Sequence, residues 1–327
     1  MAYVSVNYEN KRYMPEPLRR FATESFEQAG LPAEAAAELA GYLVATDLRG
    51  VLSHGTYNVP DYVDYFQSHR YNPKPQIRVV HEAGATIQYD GDGGIGYFCS
   101  ARSVEAAVDK ARQFGVGLAF GRNCGHTGSI GNWTRIATSA GMICLFTSTA
   151  VSPSDLVTPQ TVTSALMDHP FSMGFPAAPG QPTVVIDMGT LLAPPAVQEQ
   201  LALVSTLPLI KGLALQTISH MVTLPIAAMQ PADPGPFSGA TCSLIAVVID
   251  PSFLGSVDDY HTEGQRIADG MGQMHPMPGL DRVVLPGQLE AEREVDFRQN
   301  GIALDPRHID KLTEFGRAVG IPLYWER

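Results

Sequence analysis

The spacing of apolar residues separates a helical start and end from a mixed middle. In residues 15–30, Leu18, Phe21, Phe26 and Ala29 recur at helical spacing. Pro32 then stands where a first-turn proline belongs, and residues 33–48 are rich in Ala, Glu and Leu, which predicts a second helix. A third, over residues 59–68, puts Tyr62, Tyr65 and Phe66 on one face. The proline-bearing run 71–76 (YNPKPQ) ends this pattern and marks a boundary.

From Ile77 onward, short β-branched runs alternate with helical periodicity. Strands are predicted over 85–89, 116–120, 142–148, 183–188 and 242–249. Helices are predicted over 100–114, with Val104, Ala107, Val108 and Ala111 inward, and over 132–140. That alternation predicts an α/β sheet domain. Residues 252–288, rich in Gly, Pro, Met and Asp, read mostly as loop. The tail returns to helix, with Asp305 as the cap, Pro306 in the first turn and Gly320 at the end.

Composition narrows the function classes. A chain of 327 residues with 45% hydrophobic content can bury a sizeable core. The net charge of -11 argues against a nucleic-acid partner, because phosphate contacts need Lys and Arg. It leaves an anionic small-molecule substrate open, since local fields can oppose net charge. Cys99, Cys124, Cys144 and Cys242 form no CxxC pair. Neither a disulfide framework nor structural zinc is expected, and reduced thiols point to a cytoplasmic location. No HxH or HExxH pair occurs, so no metal site is expected. The apolar runs near 201–210 and 244–249 are short or broken, so no membrane span is expected.

Three polar or glycine-rich clusters carry candidate chemistry. Gly91-Asp92-Gly93-Gly94-Ile95-Gly96 satisfies GxGxxG between a strand and a helix. The next strand leads into Gly121-Arg122-Asn123 with no acid for a ribose hydroxyl, so a plain glycine turn is the better reading. Asp47-Leu48-Arg49-Gly50-Val51-Leu52-Ser53-His54-Gly55 ends a helix in a turn with a serine beside a histidine. Histidine changes charge near neutral pH and so suits proton transfer to a carbonyl or imine. Gly125-His126-Thr127-Gly128 follows a buried strand and opens a helix. A helix cap or a surface turn would explain either histidine alone.

Together these clusters resemble the type-2 malate/L-lactate dehydrogenase family. The resemblance continues through Thr147-Ser148-Thr149, Pro170-Phe171-Ser172-Met173-Gly174-Phe175-Pro176, Val185-Ile186-Asp187-Met188-Gly189-Thr190 and Leu285-Pro286-Gly287. It implies a non-Rossmann nicotinamide-binding α/β domain (residues 76–289). It also implies a helical domain built from both chain ends, residues 1–75 with 290–327. A homodimer, NADH or NADPH as cofactor and a small 2-oxo acid, ketone or cyclic imine as substrate follow from it too. By motif position, His54 would donate the proton, Ser53 would help hold the substrate, and His126 would sit beside the nicotinamide. Asp187 would orient the site. Thr147, Ser148, Met188, Thr190 and Lys211 would touch the cofactor.

Several positions depart from the family pattern. An arginine that grips the substrate carboxylate is replaced by Asn58, and an amide cannot make the two-pronged charged contact of a guanidinium. Met167-Asp168-His169 and Gln160-Thr161-Val162 replace two conserved-looking stretches of the family pattern, and an insertion between Asp187 and Lys211 is missing. Asp168-His169 reads as an ordinary surface turn or as new catalytic groups. These edits motivate an alternative: a redox-silent lyase, isomerase or cyclase using His54 and His126 as an acid/base pair.

Overall fold

A computed structural model describes residues 6–149, 169–190, 195–229, 236–276, 278 and 281–326. After β1 (Arg12–Tyr13), three helices follow the apolar stripes of the sequence: α1 (Pro15–Gln28), α2 (Ala33–Leu48) and α3 (Val59–Gln67). They bury Leu18, Phe21 and Phe26, then Leu39, Leu43 and Leu48, then Tyr62, Val63 and Phe66. Two single 3-10 turns, Leu52–His54 and Thr56–Asn58, join α2 to α3.

The middle of the chain supplies β2 (Arg78–Ala83), β3 (Thr86–Asp90), α4 (Gly96–Phe114), β4 (Val116–Cys124), α5 (Gly131–Ser139) and β5 (Ile143–Thr149). Then come β6 (Pro170–Phe175), β7 (Val184–Gly189), α6 (Pro195–Val204), α7 (Leu207–Met229), β8 (Cys242–Ile249) and α8 (Val257–Gly272). The chain ends through α9 (Gln288–Asn300), β9 (Ile302–Ala303) and α10 (Pro306–Val319).

Seven strands form one sheet in the order β2-β3-β4-β8-β5-β6-β7. Only β3 and β4 run parallel; every other neighbouring pair is antiparallel. This is the expected α/β class, and it is not a parallel Rossmann sheet. Strand alternation divides the side chains between two faces. One face lies under α4 and α5: a Cβ at Gly117 would meet the Ala107 backbone, and one at Gly174 would meet Thr138. The other face lies under α7, where Thr147 and Thr149 bond to Ser219 and Thr223.

Both chain ends meet. β1 pairs with β9, Phe21 packs against Phe315 and Trp325, and Lys311 reaches Asp61 at 2.9 Å. Asp305 caps α10 as expected, accepting from Arg307 N–H at 2.9 Å. One core runs from Leu18 and Phe21 through Tyr97 and Trp133 to Phe146 and Leu244.

Two expectations need correction. Residues 252–288 are not mostly loop, because α8 fills much of that stretch. Ser256 caps it, accepting from Asp259 N–H at 3.1 Å, and Asp258 and Asp259 sit in the first turn where the helix dipole favours acid. The apolar run near 201–210 also continues, into α7. By length and composition alone Leu207–Ala227 could cross a membrane. Its buried Gln216, Ser219 and Thr223 turn a polar stripe to the sheet, which is how a helix packed on protein behaves.

Candidate active site

The turn after α2 and the loop after β4 bring the two candidate histidines together. The His54 and His126 rings lie 5.7 Å apart, tilted by 30°. Ser53 Oγ is 2.9 Å from His54 Nδ1. A serine hydroxyl can donate to that nitrogen when it is bare and accept from it when it is protonated. Ser53 is exposed and His54 half-buried, so the pair is reachable.

His126 is held differently. Tyr62 Oη lies 2.7 Å from its Nδ1, and its backbone N–H donates to Tyr71 Oη at 3.1 Å. Burial, and then the neighbouring His54, pushes the His126 imidazole down to about 4. Burial pushes the Tyr62 phenol up, so it keeps its proton. Neutral His126 meets Tyr62 in one of two tautomers: Tyr62 O–H donates to bare Nδ1 while Nε2 carries the proton, or Nδ1–H donates to Tyr62 Oη. Tyr97 Oη lies 3.4 Å from Tyr62 Oη and donates to the His54 carbonyl at 3.5 Å. Tyr42, Tyr97 and Trp133 pack edge-on or tilted behind these groups. The tyrosines were not singled out in the sequence. Tyr62 was visible there only as one apolar position of a helix.

The glycine-rich turns explain the close approach. Gly91 and Gly93 donate to the carbonyls of Arg122 and Asn123, at 2.9 Å each. Those donors are spent inside the protein, so the GxGxxG turn braces the His126 loop rather than cradling a pyrophosphate. A Cβ on Gly96 would overlap the Gly125 carbonyl oxygen. Gly128 has φ +67, and a side chain there would overlap the Tyr97 hydroxyl.

Asp187 reaches the far end of the same loop. Its Oδ2 accepts from Ser129 Oγ and Gly131 N–H, both at 2.8 Å, at the start of α5. Arg135, beside it, is lowered to about 10 by burial and then by Arg49. Arg49 itself donates to Glu294 at 3.0 Å and Asn132 at 2.6 Å, which ties α2, α5 and α9 together. Ser148 Oγ is 2.9 Å from Thr127 Oγ1, so it backs the His126 loop.

The remaining candidates lie elsewhere. Thr147 points to the α7 face, donating to Pro170 O at 2.8 Å and bonding Ser219 at 2.7 Å. Met188 pairs with Phe171 and points to that face as well. Lys211 is exposed on α7. Asn58 spends its amide on the carbonyls of Ser53, at 2.9 Å, and Gly55, at 3.3 Å, and so caps the His54 turn.

His169 is not the surface residue its Asp-His-Pro setting suggests. It is 2% exposed, and its ring stands 4.3 Å from that of His220. Burial, then His220, pushes it down to about 4. Asp168 lies outside the described residues. Among the described residues no group of three or more His, Cys, Asp or Glu could hold a metal. All four cysteines are buried and free.

Two cavities, of about 520 and about 340 Å³, lie near Gln181, Asp269 and Arg282 and near Gln88, Phe120 and Ile226. Neither includes a candidate histidine. Paired imidazoles, not volume, mark where proton transfer can occur.

Residues 14–194 match the family model described as malate/L-lactate dehydrogenase. The chain belongs to the malate/L-lactate dehydrogenase family. It is 26% identical to the L-lactate dehydrogenase of Cupriavidus necator, covering 90% of this chain and 95% of that one. It is 24% identical to the L-sulfolactate dehydrogenase of Methanocaldococcus jannaschii, covering 94% and 97%. Its fold is that of the malate dehydrogenase from Pyrococcus horikoshii OT3, with a TM-score of 0.80, 22% identity and coverage of 97% and 98%. The resemblance read from the two histidine turns is thereby met. The protein is an enzyme of the dehydrogenase/reductase type, and its family implies a nicotinamide cofactor and a small-molecule substrate.

Proposed function

We propose that this family member is an NADH- or NADPH-dependent reductase of a small 2-oxo acid, ketone or cyclic imine, with His54 as the proton donor. The observation that carries this reading is the His54–His126 pair. Two imidazoles this close do not both hold a charge cheaply. With His126 neutral, the mobile proton belongs to His54.

The division of labour follows from the hydrogen bonds. With Tyr62 O–H donating to Nδ1, His126 Nε2–H polarises the substrate oxygen or nitrogen. His54 Nε2 delivers the proton, and Ser53 stays bonded to Nδ1 before and after. Asp187 fixes the loop that carries His126. Asn58 keeps the His54 turn closed, so its amide is a poor substitute for a carboxylate-gripping arginine. That favours substrates whose carboxylate is held elsewhere or absent.

Groups for the cofactor are available beside Thr190. Among the described residues its hydroxyl is buried with no hydrogen-bond partner, and so are Nε2 of His169 and Nε2 of His220. Thr190 N–H donates to the His169 carbonyl at 3.0 Å, so these orphan groups are neighbours. Buried polar atoms without partners mark a place where a ligand's polar groups fit. The Met188–Thr190 backbone, Thr190 and His169 would hold the cofactor, with Lys211 reaching in from α7. When bound, it would supply the hydride. The Thr147 hydroxyl would not take part, because Pro170 and Ser219 occupy it.

The reading includes a cytoplasmic homodimer and a helical unit (1–75 with 290–327) around a central unit (76–289). Four buried free thiols support a reducing compartment. Leu203, Val204, Leu207, Ile210, Ile218 and Met221 are exposed on α6 and α7 and support a partner subunit there.

Titration with NADH and NADPH, followed by cofactor fluorescence and thermal midpoint, tests the proposal. Saturable binding that raises the midpoint is expected, with cofactor consumed when 2-oxo acids or cyclic imines are offered. No binding of either cofactor would overturn it. Turnover without any nicotinamide would select the redox-silent reading instead.

A further inference from the structure

Beneath the Ser53–His54–Gly55 turn lies a chain of three polar groups that the reductase reading leaves without a task. Asp47, in the last turn of α2, is 0% exposed. Its Oδ2 accepts from Thr56 N–H at 3.0 Å and bonds the Thr56 hydroxyl at 2.5 Å. On its other side that hydroxyl lies 2.9 Å from Nε2 of His308, in the first turn of α10. The second oxygen of Asp47, Oδ1, has no hydrogen-bond partner among the described residues. It presses against Gly55, where any Cβ would overlap it. The residue next to His54 therefore rests directly on a buried carboxyl group.

We propose that Asp47, Thr56 and His308 form a positioning relay that holds the His54 turn from beneath and ties it to α10. The proposal rests on the reading of His54 as proton donor. None of the three touches the reacting atoms; they act through the turn.

The chemistry of the relay follows from its hydrogen count. Burial pushes the Asp47 carboxyl up to about 7, against the two Thr56 donors that pull it down. Burial, and then Lys311, pushes His308 down to about 4, with Asp305 opposing. Both shifts favour the same uncharged pair. In it, Asp47 Oδ2–H donates to Thr56 Oγ1, and the Thr56 hydroxyl donates to bare His308 Nε2. When Asp47 loses its proton to solvent, the Thr56 hydroxyl must turn and donate to the carboxylate. His308 must then present Nε2–H. One threonine hydroxyl thus couples the carboxyl's state to the last helix.

The surroundings do little to stabilise the ionised state. Tyr97 of α4 feels the Asp47 charge. His54 belongs to the turn itself, with the His126 ring 5.7 Å from its own. Around His308 stand Tyr57, ring to ring at 5.4 Å, Asp305 and Lys311. Lys311 is taken up by Asp61 of α3. Among the described residues no cation pairs with Asp47. Ionisation therefore leaves Oδ1 charged and undonated against the Gly55 backbone, and the turn has to open for water to reach it. His54 then leaves its line to the substrate.

Three variants test this: Asp47→Asn, which keeps the shape without the ionisation, Asp47→Ala, and His308→Phe at the other end. In the wild type, kcat should fall as pH rises both with the loss of the His54 proton and, through about 7, with the ionisation of Asp47. In Asp47→Asn the Asp47 part of that limb should vanish and the limb should become a shallower, one-proton fall. Asp47→Ala and His308→Phe should lower kcat on the order of 10- to 100-fold while NADH or NADPH binding stays as in the wild type. His54 imidazole resonances, followed by NMR from about pH 5 to about pH 9, supply a readout that needs no substrate. They should move in Asp47→Asn and in His308→Phe. Identical His54 titration curves in wild type and either variant would overturn the relay, and so would an unchanged alkaline limb in Asp47→Asn. If Asp47→Asn does not fold, His308→Phe decides alone. Failure of the reductase reading would show separately, as absent cofactor binding in the wild type, and the NMR comparison would still judge the relay.

Discussion

The two faces of the seven-stranded sheet are built on opposite plans. On the side of α4 and α5, where the α2–α3 turn meets the loop after β4, polar groups around the histidines are bonded to protein: Tyr62 to His126, Ser53 to His54, Thr127 to Ser148, Asp187 to Ser129 and Gly131. Under α7, Thr190 Oγ1, His169 Nε2 and His220 Nε2 are buried without partners among the described residues, and apolar side chains of α6 and α7 stand in solvent. Around the two histidines the first face is largely finished by the chain itself; Asp47 Oδ1 and the Ser100 and Ser103 hydroxyls of α4 are its exceptions among the described residues. The second has groups left over. Chemistry needs geometry fixed before the substrate arrives, so acid/base groups belong on the finished face. Binding of cofactor or a second subunit satisfies leftover groups, so those belong on the other.

The sharpest way to break this contrast is His54→Ala. Loss of a positioned general acid lowers kcat by about 100- to 10,000-fold. The half-exposed ring bears little packing, so the thermal midpoint and the cofactor titration should match the wild type. A variant that retains full turnover would show that the finished face is scaffold only.

Gly96→Ala probes the same face through its backbone. The new Cβ has to displace the backbone carbonyls of Gly125 and His126 and the Thr127 side chain. Overpacking of this kind costs about 2–3 kcal/mol, read as a lower urea midpoint. Activity should fall further than stability explains, because the His126 loop moves. Unchanged stability would mean that the glycine turn does not brace that loop.

The pH dependence of stability follows from groups on both faces. His126, His308 and His169 are all lowered, from 6.5 to about 4. Their contribution is present above 6.5 and is lost as pH falls through about 4. Asp47 is raised, from 3.8 to about 7, so its contribution is present below 3.8 and is lost as pH rises through about 7. Urea unfolding should therefore show a maximum between about pH 5 and 7, falling on both sides. Asp47→Asn should remove the alkaline fall and leave the acid fall. A midpoint still climbing above pH 8 in the wild type would contradict both assignments.

Much of the finished face was legible in the sequence because its signals are local. Ser53-His54-Gly55 and Gly125-His126-Thr127-Gly128 announce turns with a titratable group, and the helices that carry them follow apolar spacing. What stayed hidden depends on residues far apart in the chain. Tyr62 meets His126 across 64 positions, and Thr56 meets His308 across 252. No window of neighbouring residues contains either pair. His169 read as surface because Asp-His-Pro favours a turn, whereas its ring packs against His220 of α7, some fifty residues on. α8 was a different failure: its Ser256 cap and acidic first turn were readable, but the glycines and methionines around it argued for loop. Thr147 and Ser148 show a third limit. Motif position treats them as one contact, yet strand alternation sends them to opposite faces.

Thr190→Val is the smallest perturbation and the most pointed test of the unfinished face. Among the described residues the hydroxyl has no hydrogen-bond partner, so no bond of its own supports the fold there. Replacing a buried unsatisfied hydroxyl by a methyl of the same shape should change unfolding free energy by less than about 1 kcal/mol, in the stabilising direction. The same change on the finished face, Thr134→Val, removes a hydroxyl bonded to Ser172 at 3.0 Å and should destabilise the protein. Cofactor affinity should respond in the reverse order. Thr190→Val should weaken NADH or NADPH binding several-fold, while Thr134→Val leaves it unaltered. If Thr190→Val destabilises the protein as much as Thr134→Val and binds cofactor as the wild type does, the hydroxyl is structural. The leftover groups then do not mark the cofactor's place, and the contrast between the faces loses its functional meaning.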